Sequence, residues 1–211
     1  MTIINSPYDN VKGNDITYRY DIINYFITKY GYKNYLEIGV ETGENISRIS
    51  VENKTGIDPK PQTAMVTDVM TSDEFFATNT RTFDIIFIDG LHLDHQVDKD
   101  IANSLLWLQP NGTIILHDCN PPTKEHGMDS PVFLQWNGTV WKSIVKQRCL
   151  NKDITLRVVN TDWGCGVLQK GNQTVYDKAS LETCLDWEYF SANRAELLNL
   201  ISVEEFKTIY S

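Results

Sequence analysis

No apolar run in this 211-residue chain approaches the ~18 residues that a membrane-spanning helix needs. Met1–Lys12 has neither the basic start nor the apolar stretch of a secretory leader, so a cytoplasmic protein is expected. The four cysteines, Cys119, Cys149, Cys165 and Cys184, form no Cys-x-x-Cys pair and no zinc spacing. They are read as free, mostly buried thiols in a reducing compartment. Basic charge is scarce: 19 Lys and Arg stand against 28 Asp and Glu, a net −9 that argues against nucleic acid or an anionic membrane as main partner. Neither Gly-x-Gly-x-x-Gly nor a P-loop Gly-Lys-Ser/Thr occurs, which removes the two commonest phosphate-binding fingerprints. There is no internal repeat and no linker. With 41% apolar residues the whole chain, 1–211, is read as one soluble α/β domain.

What is present centres on Tyr35-Leu-Glu-Ile-Gly-Val-Glu-Thr-Gly-Glu-Asn45. A short apolar run ends at Gly39 and Gly43, and Ile46, Ile49 and Val51 follow at helical spacing to about Val51. Strand, glycine turn and helix form the first unit of an open parallel sheet. Before it, Tyr18, Ile22, Ile23, Phe26 and Ile27 predict a helix over Thr17–Lys29, after a loose entry at residues 1–16. After it, the spacing predicts a strand at Thr55–Asp58, a third at Thr63–Thr67, and a helix opening at Ser72 with a capping box. Phe83–Gly90 is the clearest strand, doubly buried in a parallel sheet. Asp94–Leu108 reads as a helix, Pro110–Gly112 as a turn and Thr113–Asp118 as a strand. A long irregular stretch, Cys119–Gly138, precedes a helix at Thr139–Cys149. Ile154–Asn160 and Cys165–Lys170 form a hairpin, and Leu181–Leu200, with a break expected near Ser191, and Val203–Tyr210 are helical.

Ligands of an open parallel sheet sit outside the carboxyl ends of its strands. Asp58, Asp89 and Asp118 each end an apolar run. Asp58 stands where such sheets bind a ribose diol, or else caps a proline turn. Asp89 and Asp118 suit Mg²⁺, with His117 a third ligand or a buried structural residue. His92, three residues past Asp89, is the best-placed general base unless it is a plain surface histidine. His126 is the second choice, and His95 falls on an exposed helix face. Trp136 and Trp141 flank the irregular stretch and either hold a flat acceptor or pack in the core.

Glu37-x-Gly39-x-x-x-Gly43 resembles motif I of class I S-adenosylmethionine-dependent methyltransferases. With Gly56-Ile-Asp-Pro, Phe87-Ile-Asp-Gly-Leu-His92 and Ile114-Ile-Leu-His-Asp118, the chain looks like their metal-dependent small-molecule O-methyltransferases. Trp136–Trp141, Thr161–Gly166 and the Trp187–Ser202 tail are similar to a bacterial subfamily linked to glycans or natural products. The resemblance implies a Rossmann-like, doubly wound, mostly parallel seven-stranded sheet with a terminal antiparallel hairpin strand. It places Glu37, Gly39 and Gly43 around the methionine half of S-adenosylmethionine, Asn45 at its carboxylate and Asp58 at its ribose. Thr71 and Ser72 match adenine positions, and Asp89 and Asp118 match metal aspartates. Two departures stand out: those relatives carry a lysine base where this chain has His92, and an asparagine ligand where it has Cys119. Asn120 or His117 would have to stand in for that asparagine. The implied reaction is Mg²⁺-assisted methyl transfer to a hydroxyl of a small acceptor: a sugar, a glycan precursor or a phenolic. The alternatives are a domain that binds S-adenosylmethionine without chemistry, and a nicotinamide oxidoreductase. An amphipathic tail rich in Leu and aromatics offers a surface for a homodimer.

Overall fold

The computed structural model describes residues 16–211, so the expected loose entry and leader-free start lie almost wholly outside the described residues. Ile22, Ile23, Phe26 and Ile27 are buried on one side of α1 (Arg19–Tyr30), which Gly31 ends at φ 65° in the left-handed region. There follow β1 (Asn34–Ile38), α2 (Glu44–Arg48), β2 (Asn53–Ile57), α3 (Ser72–Thr78), β3 (Phe83–Ile88), α4 (Asp94–Trp107) and β4 (Leu108–Leu116). The second half holds α5 (Val140–Leu150), β5 (Ile154–Val159), β6 (Cys165–Lys170), α6 (Leu181–Cys184), α7 (Trp187–Leu197), β7 (Leu200–Ile201) and α8 (Val203–Ile209).

One seven-stranded sheet runs β2-β1-β3-β4-β6-β5-β7. β1 to β4 pair in parallel, β6 runs antiparallel to both β4 and β5, and β7 is parallel to β5. Successive side chains of a strand face opposite sides, and both sides are apolar here. Ile86, Ile88, Ile114 and Leu116 join the core under α3, α4, α5 and α7. Ile85, Phe87 and Ile115 join a second core under α1, α2 and α8. The doubly wound sheet expected from the resemblance is therefore present.

The differences from the sequence expectations are local and tertiary in origin. Thr63–Thr67 is not a strand: the Thr67 and Asp68 N–H groups both donate to the Gly56 carbonyl, and only Asp68 bridges to Ile57. The seventh strand comes instead from the tail, where Leu200–Ile201 add beside β5. α2 stops at Arg48 because Asn24 of α1 caps it, donating to the Arg48 carbonyl at 2.9 Å and accepting from the Ser50 N–H at 2.8 Å. The capping box before α3 belongs to Thr71 and Glu74, not Ser72. Pro110–Gly112 stays inside β4, absorbed by a register shift opposite Phe83–Ile85. The predicted Leu181–Leu200 helix is cut where the Asp186 carboxylate caps Tyr189 N–H, and the break expected near Ser191 falls at Asn193, which is non-helical. All four cysteines are free, and Cys119, Cys165 and Cys184 are buried.

Candidate active site at the strand ends

The order β2-β1-β3 means that the chain leaves β1 for one neighbour and later returns to its other side. A crevice opens at such a reversal. Gly39, just past β1, donates to the Ile57 carbonyl at 2.9 Å with φ 87°. A Cβ there would lie 2.1 Å from the Asp89 carbonyl oxygen, so only glycine lets the ends of β1 and β3 meet.

Glu37 is buried and faces α2. Its carboxylate accepts from the Tyr35 hydroxyl and, at 2.8 Å, from the Asn45 amide, which also lies 3.0 Å from the Tyr35 oxygen. Burial pushes the Glu37 carboxyl up to about 7, with the Asp89 charge adding to it against the two hydrogen bonds. The other end of the Asn45 amide, Oδ1, is buried with no hydrogen-bond partner. Asp58 closes the neighbouring strand. Its carboxylate accepts from Glu41 N–H at 2.8 Å and Lys60 N–H at 2.7 Å, which ties β2 to the glycine turn.

Across Gly39, β3 and β4 deliver four titratable groups to one point. His92 Nε2 lies 3.2 Å from Asp89 Oδ1 and 3.4 Å from Asp118 Oδ2. His117 Nδ1 lies 3.3 Å and 3.2 Å from the same two oxygens. Asp89, His92 and Asp118 can converge on one ion. Asp118 holds its place in the left-handed region at φ 59°. The four groups form an ion-pair network. Burial opposes charge on His92, yet the hydrogen bond and charge of Asp89, joined by Asp118, raise its pKa to about 9. Burial likewise opposes charge on His117, whose pKa the Asp118 and Asp89 charges still raise well above the ordinary range. Burial would raise Asp89, but the two histidines hold it well below the usual carboxylate range.

Several supporting residues carried no assigned role in the sequence reading. Arg19, at the start of α1, lies 3.8 Å from Asp89 and 3.2 Å from Asp162. Asp162, in the β5–β6 turn, accepts from Arg19 N–H at 2.8 Å and lies 3.6 Å from His117 Nε2. Asn137 donates to Asp118 Oδ1 at 3.0 Å. Asp162 and Asn137 lie within the Thr161–Gly166 and Trp136–Trp141 segments. Arg19 had no local signal, because a helix-start arginine reads as a solvated charge.

The irregular stretch folds over this cluster. His92 Nδ1 is 2.9 Å from the Trp136 carbonyl, and the His92 carbonyl accepts from Thr139 N–H at 2.8 Å. A Cβ on Gly138 would lie 1.9 Å from the His92 oxygen, so glycine is needed for that closure. The Trp136 ring stands 5.6 Å from the His92 ring, and His126 stacks between Phe133 and Trp163 at 4.6 Å and 5.7 Å. Trp141 is a core residue packed on Phe190. Asn120 is engaged elsewhere, accepting from Arg194 at 2.6 Å and donating to Asn160 at 3.1 Å, so it is not held toward the carboxylates. Thr71 is spent on its helix cap and Ser72 donates to Asp100 at 2.6 Å. His95 is exposed, as expected. A surface hollow of about 630 Å³ beside Lys146, Cys149 and Asn151 contains none of these groups.

Residues 36–119, less than half of the chain, match a family model described as a methyltransferase domain. No curated protein matches the sequence. Among solved structures, the chain resembles the Podospora anserina methyltransferase PaMTH1 bound to S-adenosylhomocysteine: 16% identity, TM-score 0.57, covering 73% of this chain and 78% of that one. It also resembles the O-methyltransferase TomG of Streptomyces achromogenes, involved in tomaymycin synthesis and solved with S-adenosylmethionine: 13% identity, TM-score 0.54, covering 72% and 78%. At these identities the likeness establishes a shared fold, and the matched segment, β1 through the end of β4, carries both the glycine turn and the Asp89–Asp118 cluster.

Proposed function

We propose that this protein is an S-adenosylmethionine-dependent O-methyltransferase that acts on a hydroxyl group of a small acceptor. The observation that carries the reading is the adjacency of two half-sites across Gly39. On one side Glu37, Asn45 and Asp58 surround a glycine turn, and on the other Asp89, His92, His117 and Asp118 converge. Asn45 Nδ2 is engaged by Glu37 and Tyr35, and its Oδ1, buried and unpartnered, is an acceptor, so Asn45 would face a ligand amine rather than the carboxylate that the resemblance implied. Asp58 offers a carboxylate to a diol.

His117 Nδ1 stands 3.3 Å from Asp89 Oδ1 and 3.2 Å from Asp118 Oδ2. Donors ~2.1 Å from one ion stand about 3.0–3.4 Å from each other, so the set fits a divalent cation. Asp89, Asp118 and the deeper imidazole, His117, are the residues that would hold it. Bound there, a cation would bind the acceptor oxygen and lower its pKa.

His117 is 7% exposed and His92 22%, so His92 is the imidazole that an acceptor in the cleft can reach. Its Nδ1–H donates to the Trp136 carbonyl, which leaves Nε2 to take the acceptor proton. A positive charge held between Asp89 and Asp118 would offset the field that favours protonated His92 and would lower its pKa toward that of a base. The sulfonium methyl is already activated, so the remaining task is in-line alignment with exclusion of water. Trp136 and the Phe133–His126–Trp163 stack give the acceptor side flat walls that suit a sugar ring or a phenolic ring. No helix among the described residues is long and apolar enough to cross a membrane, and a cytoplasmic small-molecule enzyme is the reading we adopt. The test is calorimetry with S-adenosylhomocysteine, followed by methyl transfer to a panel of sugars and phenols. Binding of NAD in place of S-adenosylhomocysteine would overturn it.

A further inference from the structure

The geometry points to a carboxylate–histidine–metal chain in which Asp162 orients His117 toward an ion held by Asp89 and Asp118, so that the site favours Mn²⁺ over Mg²⁺. This deepens the proposed function and rests on it. His117 is buried, and its two ring nitrogens face opposite ways. Nδ1 lies 3.3 Å from Asp89 and 3.2 Å from Asp118. Nε2 is buried without a hydrogen-bond partner, 3.6 Å from Asp162 Oδ1, which a shift of a few tenths of an ångström would bring into hydrogen-bond range. A ligating histidine commonly donates its outer N–H to a carboxylate, which sets the tautomer and the ring plane.

Asp162 is itself held for that task. Its other oxygen accepts from the Arg19 N–H at 2.8 Å and guanidinium at 3.2 Å, and its backbone sits in the left-handed region at φ 43° beside Trp163 at φ 63°. Such conformations in residues other than glycine persist only where the surroundings enforce them. Asp162 is therefore a positioning residue that acts through His117. An imidazole nitrogen beside two carboxylates is accepted more readily by a first-row transition ion such as Mn²⁺ than by Mg²⁺, which prefers an all-oxygen shell with several waters.

The experiment is titration of the chelator-treated full chain with Mn²⁺ and, separately, Mg²⁺, together with pulsed electron paramagnetic resonance of the Mn²⁺ complex. Mn²⁺ should bind more tightly than Mg²⁺. The spectrum should show ¹⁴N coupling that persists in His92→Gln and vanishes in His117→Gln. Asp162→Asn, which keeps an acceptor for Arg19, should weaken Mn²⁺ by roughly 10–100-fold while the melting temperature without metal stays near that of the wild type. Equal affinity for both ions, absence of ¹⁴N coupling, its loss in His92→Gln, or unchanged Mn²⁺ affinity in Asp162→Asn would each overturn the proposal. A metal-free titration with S-adenosylhomocysteine tests the methyltransferase reading separately, so the two failures are distinguishable.

Discussion

His92 Nδ1 lies 2.9 Å from the carbonyl oxygen of Trp136, 44 residues further along the chain. The loop before α5 therefore sets the tautomer of a histidine that leaves β3, and only Nε2 faces the cleft. If Nε2 takes the acceptor proton, His92→Ala should lower kcat by roughly 10²–10⁴ while leaving S-adenosylhomocysteine affinity nearly unchanged. Steady-state rates and calorimetry on the same preparations check both. An equal fall in affinity would make His92 structural.

The pH dependence of His92 follows from its surroundings. Without a cation its pKa is raised to about 9, burial being outweighed by Asp89 and Asp118, so it stays protonated through neutrality. Saturation with a divalent cation should move that titration to lower pH, and a wild-type rate limb rising with pH should follow the shifted value. Proton NMR of the imidazole, with and without metal, reads this directly. A titration that stays near 9 in saturating metal would separate His92 from the ion.

Asp58 accepts two backbone N–H groups as well as offering itself to a diol. Asp58→Ala should weaken S-adenosylhomocysteine by about 1.5–3 kcal/mol, the scale of a hydrogen bond to a charged group. Asp58→Asn, which retains an acceptor oxygen, should fall between the two. Unchanged affinity in both variants would place the ribose elsewhere.

Asp100 gives a prediction that is independent of the chemistry. Burial raises its carboxyl to about 6, partly offset by hydrogen bonds from Ser72 and Gln96. A carboxyl whose pKa is raised by folding stabilises the native state when protonated, and that stability is lost as pH climbs from about 4 through 6. A shift of about two units corresponds to on the order of 2–3 kcal/mol. Denaturant melts should show wild type losing stability relative to Asp100→Asn across that interval. Parallel pH curves for the two proteins would refute it.

Turnover should also depend on the ion. Excess chelator should abolish methyl transfer, and added Mg²⁺ or Mn²⁺ should restore it, because the acceptor oxygen then loses the charge that lowers its pKa. Full turnover in chelator would leave His92 as the sole activator.

Much of this was legible in the one-dimensional pattern. Apolar runs at β1, β3 and β4 must be buried on both faces, so strand identity and parallel order follow from the residues themselves. Because ligands gather where such strands end, Gly39, Asp58, Asp89, His92 and Asp118 could be collected by position alone. What depends on distant partners was not legible. The short segments at Thr63–Thr67 and Leu200–Ile201 have similar local propensity, and only docking against β2 or β5 decides which becomes a strand. Arg19 and Asp162 meet across 143 residues to hold Asp89 and His117. The charge states of the cluster arise from carboxylates and imidazoles brought within 3.4 Å in a buried setting. Local sequence determines which groups arrive at the sheet edge, but their protonation and ligand roles depend on distance and desolvation, which only the folded chain supplies.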